Sequence, residues 1–266
     1  MKHFFFLLLC LFLSVLQVKA QDSIPDQEIK VNQQLWLDYN FLNLIDSTKV
    51  LATEIGYRKI TPKVFNRFLV HSTLNIPHEK SLDFLNLKKP IIESFQLGAG
   101  IYYTHNYNTD DNLEFRLAQG FKFLIPTLRG VSISNYIRLE ERFQNTFNNS
   151  GWTTGYRFRY RISTEINWKK HLTKFTDGIY IPLSLEMFFN LKKSDRYNDL
   201  IRISPGIGYR LKNEWRFEVY LIFNETKNST ETNKSSSDFI LRIRVYKGKL
   251  SNPSKEVQLE QLPESN

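Results

Sequence analysis

Three observations predict an all-β chain closed as a single transmembrane antiparallel up-and-down β-barrel. Period-2 alternation of apolar and ionic residues recurs almost from end to end, and helical periodicity is nearly absent. The alternating runs are long, several beyond ten residues. Strands in soluble domains run about five or six residues, and a tilted membrane-spanning strand needs about 9–11. The chain also opens on a segment built for export.

That segment carries Lys2, an apolar run from Phe4 to Leu16, and the small-residue junction Val18-Lys19-Ala20 before Gln21. It is too short to span a membrane and is followed by polar sequence, so residues 1–20 read as a secretory signal peptide cut after Ala20. Cys10 lies too early, with Leu9 before it, to be a lipoprotein anchor, and it is the only cysteine. The mature chain therefore holds together without disulfides, for which hydrogen-bonded β-structure closed on itself is one means. Losing Lys2 and Lys19 lowers the formal charge from +9 to about +7. Beyond the signal there is no run of 18 apolar residues and so no predicted transmembrane helix. Asn148, Asn224, Asn228 and Asn233 fit the glycosylation pattern, which Asn- and Ser-rich loops produce by chance.

After a periplasmic N-terminal segment at 21–32, strands are expected at Gln33–Phe41, Val50–Arg58, Phe65–Thr73, Phe95–His105, Asn112–Phe123, Val131–Phe143, Thr153–Asn167, Gly178–Asn190, Leu200–Leu211, Trp215–Phe223 and Phe239–Tyr246. Bacterial single-chain barrels use an even number of strands with both ends in the periplasm. The expectation is therefore about 12 strands, within a range of about 10–12. The twelfth falls at Ser81–Leu87 or within Asp22–Val31. Lys212-Asn213-Glu214 and Ile125–Gly130 read as short periplasmic turns; Asn145–Gly151, Leu191–Asp199 and Glu225–Asp238 read as longer extracellular loops. The barrel spans 33–247, and 248–266 is a polar tail expected to be disordered.

Val131–Asn167 shows the two faces best. Ile133, Ile137, Leu139, Tyr156, Phe158, Tyr160 and Ile162 alternate with charged residues, and successive side chains of a strand point to opposite faces. Carried along the chain, that phase collects the acids Asp38, Glu54, Glu114, Glu140, Glu165, Glu186 and Glu218 on one face. With them fall Arg58, Arg116, Lys122, Arg138, Arg142, Arg157, Arg159, Arg161, Arg202, Arg210, Arg216, Arg242 and Arg244. All of these except Asp38 and Lys122 are expected to form one ionic network lining the lumen. Half-buried soluble sheets alternate in the same way. Strand length, the choice of arginine over threonine, serine and lysine, and aromatics near strand ends (Tyr39, Phe41, Tyr103, Phe143, Phe189, Phe223) favour the membrane barrel. Gln119 and Glu141 fall on the apolar phase, and Phe65–Thr73 has no clean phase.

These motifs resemble the bacterial outer-membrane barrels of the domain-of-unknown-function 2490 family. The resemblance rests on Gln33-Gln34-Leu35-Trp36, Glu54-Ile55-Gly56-Tyr57-Arg58, the run with Gly98, Gly100 and Tyr103, and Glu114/Arg116. It continues through Arg138-Leu139-Glu140-Glu141-Arg142-Phe143, Arg157–Arg161, Glu186-Met187-Phe188-Phe189-Asn190 and Gly206-Ile207-Gly208-Tyr209-Arg210, so it covers most of 33–246; Phe65–Pro90 departs from it. It implies a membrane barrel, typical of Bacteroidota, without an established activity.

No catalytic, cofactor or metal site is expected. His71, His78, His105 and His171 lack metal-ligand spacing. The His-x-Ser pair of outer-membrane lipases is absent; His71-x-Thr73 and His171-x-Thr173 come nearest, and His105 points outward near a rim. Basic and aromatic residues interleave at Tyr156–Arg161, but alternation sends them to opposite faces, so no nucleic-acid platform forms. The sequence thus reads as a structural or narrow-pore barrel of the outer membrane. Its partners would be outer-membrane lipids and lipopolysaccharide, the outer-membrane insertion machinery and small anionic solutes. An outer-membrane lipid-modifying enzyme and a soluble secreted β-protein are the alternatives.

Overall fold

The computed structural model describes residues 30–46, 48–61, 65–77, 92–107, 109–126, 132–148, 151–167, 178–191, 199–211, 213–227 and 235–248. Among them the chain forms eleven strands: β1 (Lys30–Leu44), β2 (Val50–Thr61), β3 (Phe65–Pro77), β4 (Ile92–Asn106), β5 (Asn112–Pro126), β6 (Ser132–Thr146), β7 (Thr153–Asn167), β8 (Ile179–Asn190), β9 (Asp199–Arg210), β10 (Trp215–Lys227) and β11 (Ser235–Gly248). They are the eleven alternating runs expected from the sequence, most of them a few residues longer. The signal segment 1–20, the candidate strand Ser81–Leu87 and the tail from 249 lie outside the described residues.

Each strand pairs antiparallel with the next, and the sheet closes through β1 and β11, which run parallel from Lys30↔Ser236 to Leu42↔Gly248. This closure settles the even-number problem differently from the expectation. With eleven strands the first and last point the same way, and a parallel ladder, evenly spaced and slanted, completes the ring without a twelfth. Lys30 and Val31, in the other candidate for a twelfth strand, are the start of β1. Closure leaves no unpaired edge.

The register fixes the shape. Crossing the ladders from Leu44 leads through Val50, Asn75, Gln96, Gly120, Arg138, Arg159, Phe188, Leu200, Thr226 and Ser236 back to β1 at Lys30, fourteen residues away. That shear on eleven strands implies a strand tilt of about 42° and a backbone radius of about 11 Å, at ordinary strand spacing and rise. β1 starts at one rim (the amino rim) and β11 ends at the other (the carboxyl rim). The barrel's two ends therefore lie on opposite rims, not together. Connection lengths do not sort by rim as expected either. The carboxyl rim carries the short 45–49, 127–131 and 211–214, but also 78–91 and 168–178, the two longest.

In the 45–49 turn, Asp46 Oδ1 accepts from the backbone N–H of Thr48 at 2.8 Å and of Lys49 at 2.7 Å. The Lys49 side chain and these amides hold the Asp46 carboxyl below the usual carboxylate range.

The polarity is inside out. Leu37, Phe41, Ile55, Leu97, Ile101, Leu117, Ile207, Leu221 and Ile243 are exposed on the outer wall, while Glu114, Glu140, Arg138 and Glu186 are buried inside. β3 alternates like the rest: Phe68 and Val70 are exposed outside, and Leu69 is buried inside with Arg67 and His71 on its phase. Its phase is hidden in the sequence because Asn66 and Ser72 face outward while Phe65 and Leu69 face inward. Elsewhere the interior also takes apolar residues, in clusters of Trp36, Ile222 and Ile240 and of Leu42, Val50 and Tyr246. Outside, aromatic pairs gather towards the rims, among them Phe115–Trp152 at 5.5 Å, Tyr39–Trp215 at 6.4 Å and Phe223–Phe239 at 5.1 Å. Glu141 lies half-buried opposite Leu117 and Tyr156. Nothing in the structure explains Gln119, exposed at mid-strand.

Candidate functional site

Alternation puts Glu114 and Arg116 on one face of β5, and Arg138, Glu140 and Arg142 on one face of β6. Register then sets Arg116 opposite Arg142, and the small Ala118 and Gly120 opposite Glu140 and Arg138, leaving room for the long side chains. The result is a ladder of carboxylates, each held by several guanidiniums.

Glu114 takes a bidentate pair from Arg142, Nε at 2.7 Å and Nη2 at 2.8 Å, together with Arg116 Nη2 at 2.7 Å and Gln144 Nε2 at 2.9 Å. Glu140 is bonded by Arg138 and Arg157, with Arg116 at 3.8 Å and Arg159 at 3.9 Å. Glu186 accepts from Arg159 Nη2 at 2.8 Å and Arg202 Nη1 at 3.4 Å, with Arg161 Nε in ion-pair contact at 2.6 Å. Shared arginines thus chain Glu114, Glu140 and Glu186 into one arc across β5 to β9.

A second arc covers β10, β11, β1 and β2. Glu218 accepts from the Tyr180 and Tyr220 hydroxyls at 2.6 and 2.8 Å, with Arg216 at 3.5 Å and Arg244 at 3.9 Å. Arg244 also reaches Glu54 at 3.4 Å, where Arg242 and Arg58 stand at 3.5 Å; Arg242 in turn holds Asp38. Glu165 pairs with Arg210 near the carboxyl rim, both half-exposed.

The arcs meet at the Trp36 ring, and the first arc also stacks on Phe188. Arg58, Arg202 and Arg242 lie 4.1, 5.0 and 5.5 Å from the Trp36 ring, and Arg157, Arg159 and Arg202 lie 4.9, 5.0 and 4.9 Å from the Phe188 ring. Such stacking is favourable when the cation is desolvated. Two glycines seat the tyrosines under Glu218: a Cβ at Gly208 would sit within the Tyr180 ring, and one at Gly206 would lie 2.6 Å from Tyr220. That is a physical reason for the Gly206-Ile207-Gly208 motif.

Every member of the expected network faces this interior, and Asp38 and Lys122 join it. Three participants were not legible beforehand: Arg67, hidden by β3's mixed phase, and the inward rings of Trp36 and Phe188. Arg67 donates to Thr104 Oγ1 at 2.8 Å. Among the described residues neither Arg67 nor Lys122 has a carboxylate within salt-bridge distance. Lumen bases therefore outnumber acids about two to one. They surround a cavity of about 950 Å³ that reaches from Phe65 and Arg67 near the amino rim to Thr48 and Glu165 near the carboxyl rim. Asn224 is buried against Arg202, so its glycosylation pattern is a chance match.

His71 faces the lumen, bonded to Thr73 Oγ1 at 3.4 Å. His105 is exposed at the amino rim, its Nδ1 2.9 Å from Asp111. Bonds from the Tyr103 hydroxyl and then from His105 hold the Asp111 carboxyl below its usual range. Among the described residues, no group of three His, Asp or Glu side chains is placed to hold a metal.

The model of the family described as "Protein of unknown function (DUF2490)" matches residues 33–235, which takes in β1 from Gln33 onward, β2 to β10 and the first residue of β11. No curated protein and no solved structure matches the chain.

Proposed function

Because the chain belongs to the DUF2490 family, whose function is unknown, we propose its role from its own geometry: a bacterial outer-membrane barrel whose lumen is a narrow, positively biased pore. The observation that carries this is the inverted polarity. An outer wall of exposed Leu, Ile, Val and Phe around a buried ionic ladder suits hydrocarbon outside and polar contents within. In water the same wall would be a large contiguous apolar patch, which soluble monomers avoid. Aromatic pairs towards the rims suit the two interfaces, and the leader at 1–20 suits export through a cleaved signal peptide. The wall would meet outer-membrane lipids and lipopolysaccharide after delivery by the insertion machinery.

The continuous cavity supports passage, and the ladder with its stacked Trp36 and Phe188 makes the passage narrow. Excess guanidinium favours small anions. No catalysis is proposed; a lipid-modifying enzyme would use the amino-rim group of half-buried Tyr103 and Asp111 with exposed His105, and lipid hydrolysis lost in His105→Ala would support that instead.

Refolded protein is expected to migrate differently on SDS gels before and after boiling, and to give small anion-preferring steps in planar bilayers. Unchanged migration would overturn the barrel; absence of conductance steps, or a cation-selective reversal potential, would overturn the pore.

A further inference from the structure

On the carboxyl-rim side of the Glu114–Glu140–Glu186 arc, the wall changes character. Ser134, Ser163, Ser184 and Ser204 pair directly with one another across β6, β7, β8 and β9, forming one unbroken inward row. Two residues deeper runs a second row, Lys122–Tyr136–Arg161–Glu186. Both rows line the cavity.

The short serines leave open space where the ladder fills its own. They also present hydroxyl donors: among the described residues only the Ser163 hydroxyl is used, towards the Ser134 carbonyl at 3.4 Å. Arg161 Nε lies 2.6 Å from Glu186 as an ion pair without hydrogen-bond geometry, and its side chain is 31% exposed against 11% for neighbouring Arg159. Its fork therefore opens to the cavity. Lys122 is the register partner of Tyr136 on its β5 side, as Arg161 is on its β7 side, and has no carboxylate within salt-bridge distance; the charges that act on it are Glu93, Arg161 and Arg216. Glu186, the one carboxylate in the row, is already shared by Arg159, Arg161 and Arg202.

We infer that this wall is a binding site for a small oxyanion of the phosphate class, held between Lys122 and Arg161 over Tyr136 and hydrogen-bonded by the serine row. Two cations without a dedicated acid, an array of hydroxyl donors and a cavity are what recognition of tetrahedral oxygens requires. In the ladder each guanidinium has a carboxylate beside it, even where an Nε such as that of Arg138 or Arg159 is left without a hydrogen bond; along the serine row the hydroxyl donors outnumber their partners. The inference rests on the reading of the lumen as an open interior, but does not need ion flow through it.

The test is calorimetric titration of inorganic phosphate into the refolded full chain in detergent, at constant ionic strength, with heat-modifiable migration checked on each sample. Wild type is expected to bind saturably. Lys122→Gln, which breaks no ion pair, should weaken binding about tenfold, the loss of one charge-assisted contact. Arg161→Gln should weaken it similarly, and Arg67→Gln, an equal charge change near the amino rim, should leave it within about twofold. A flat titration of heat-modifiable wild type overturns the site and leaves the barrel standing. Equal weakening by Arg67→Gln overturns it too, since overall charge would then explain the binding. Loss of heat-modifiable migration in wild type overturns the barrel reading itself.

Discussion

Glu140→Gln is the sharpest perturbation of the lumen, because the side chain keeps its shape and loses only its charge. Glu140 is fully buried, bonded by Arg138 and Arg157, with Arg116 at 3.8 Å and Arg159 at 3.9 Å. Each unit pair at about 4 Å is worth about 4 kcal/mol at an effective dielectric near 20. Desolvation of the ions and repulsion among the guanidiniums cancel most of that sum. Removing one partner from a buried ionic group typically costs about 3–5 kcal/mol, since the remaining charges lose their compensation. That range is the expected loss.

Urea unfolding in detergent micelles reads it, with tryptophan fluorescence as signal and Trp36 reporting from inside the lumen. The double substitution Glu140→Gln with Arg157→Gln should recover part of the loss, because neighbours in one network are not additive. A loss under about 1 kcal/mol, the value of exposed pairs, would mean the ladder is solvated and screened. Absence of any recovery in the double variant would mean that Arg157 is not coupled to Glu140. Either result refutes the structural role given to the network.

Other predictions are local. Trp36→Ala removes the ring that Arg58, Arg202 and Arg242 stack on, so single-channel conductance should rise; unchanged conductance would take Trp36 out of the constriction. Gly208→Ala drives a methyl into the Tyr180 ring and should break the 2.6 Å bond to Glu218, costing about 1–3 kcal/mol in the urea assay. Glu214 holds φ 69° in the β9–β10 turn, so Glu214→Gly should stabilise by about 1 kcal/mol; destabilisation would mean its side chain contributes more than its backbone strain costs.

The sequence already contained the strands, their faces and the membership of the ladder. These are local properties: period 2 needs no knowledge of any other strand, and Arg138, Glu140 and Arg142 share a face wherever β6 is placed. Where inside and outside both mix polar and apolar residues, as in β3, the same signal vanished and Arg67 went unseen. The pairing itself was beyond the sequence. Arg242 meets Asp38 across 204 positions, and Arg142 meets Glu114 across 28. Those meetings depend on register, and register propagates around eleven ladders before the ring closes. Closure by a parallel β1–β11 seam, rather than a twelfth strand, is likewise a property of the whole ring. A strand carries the identity of its charges, but the shear of the closed sheet decides which charges face one another and which, like Lys122, are left open.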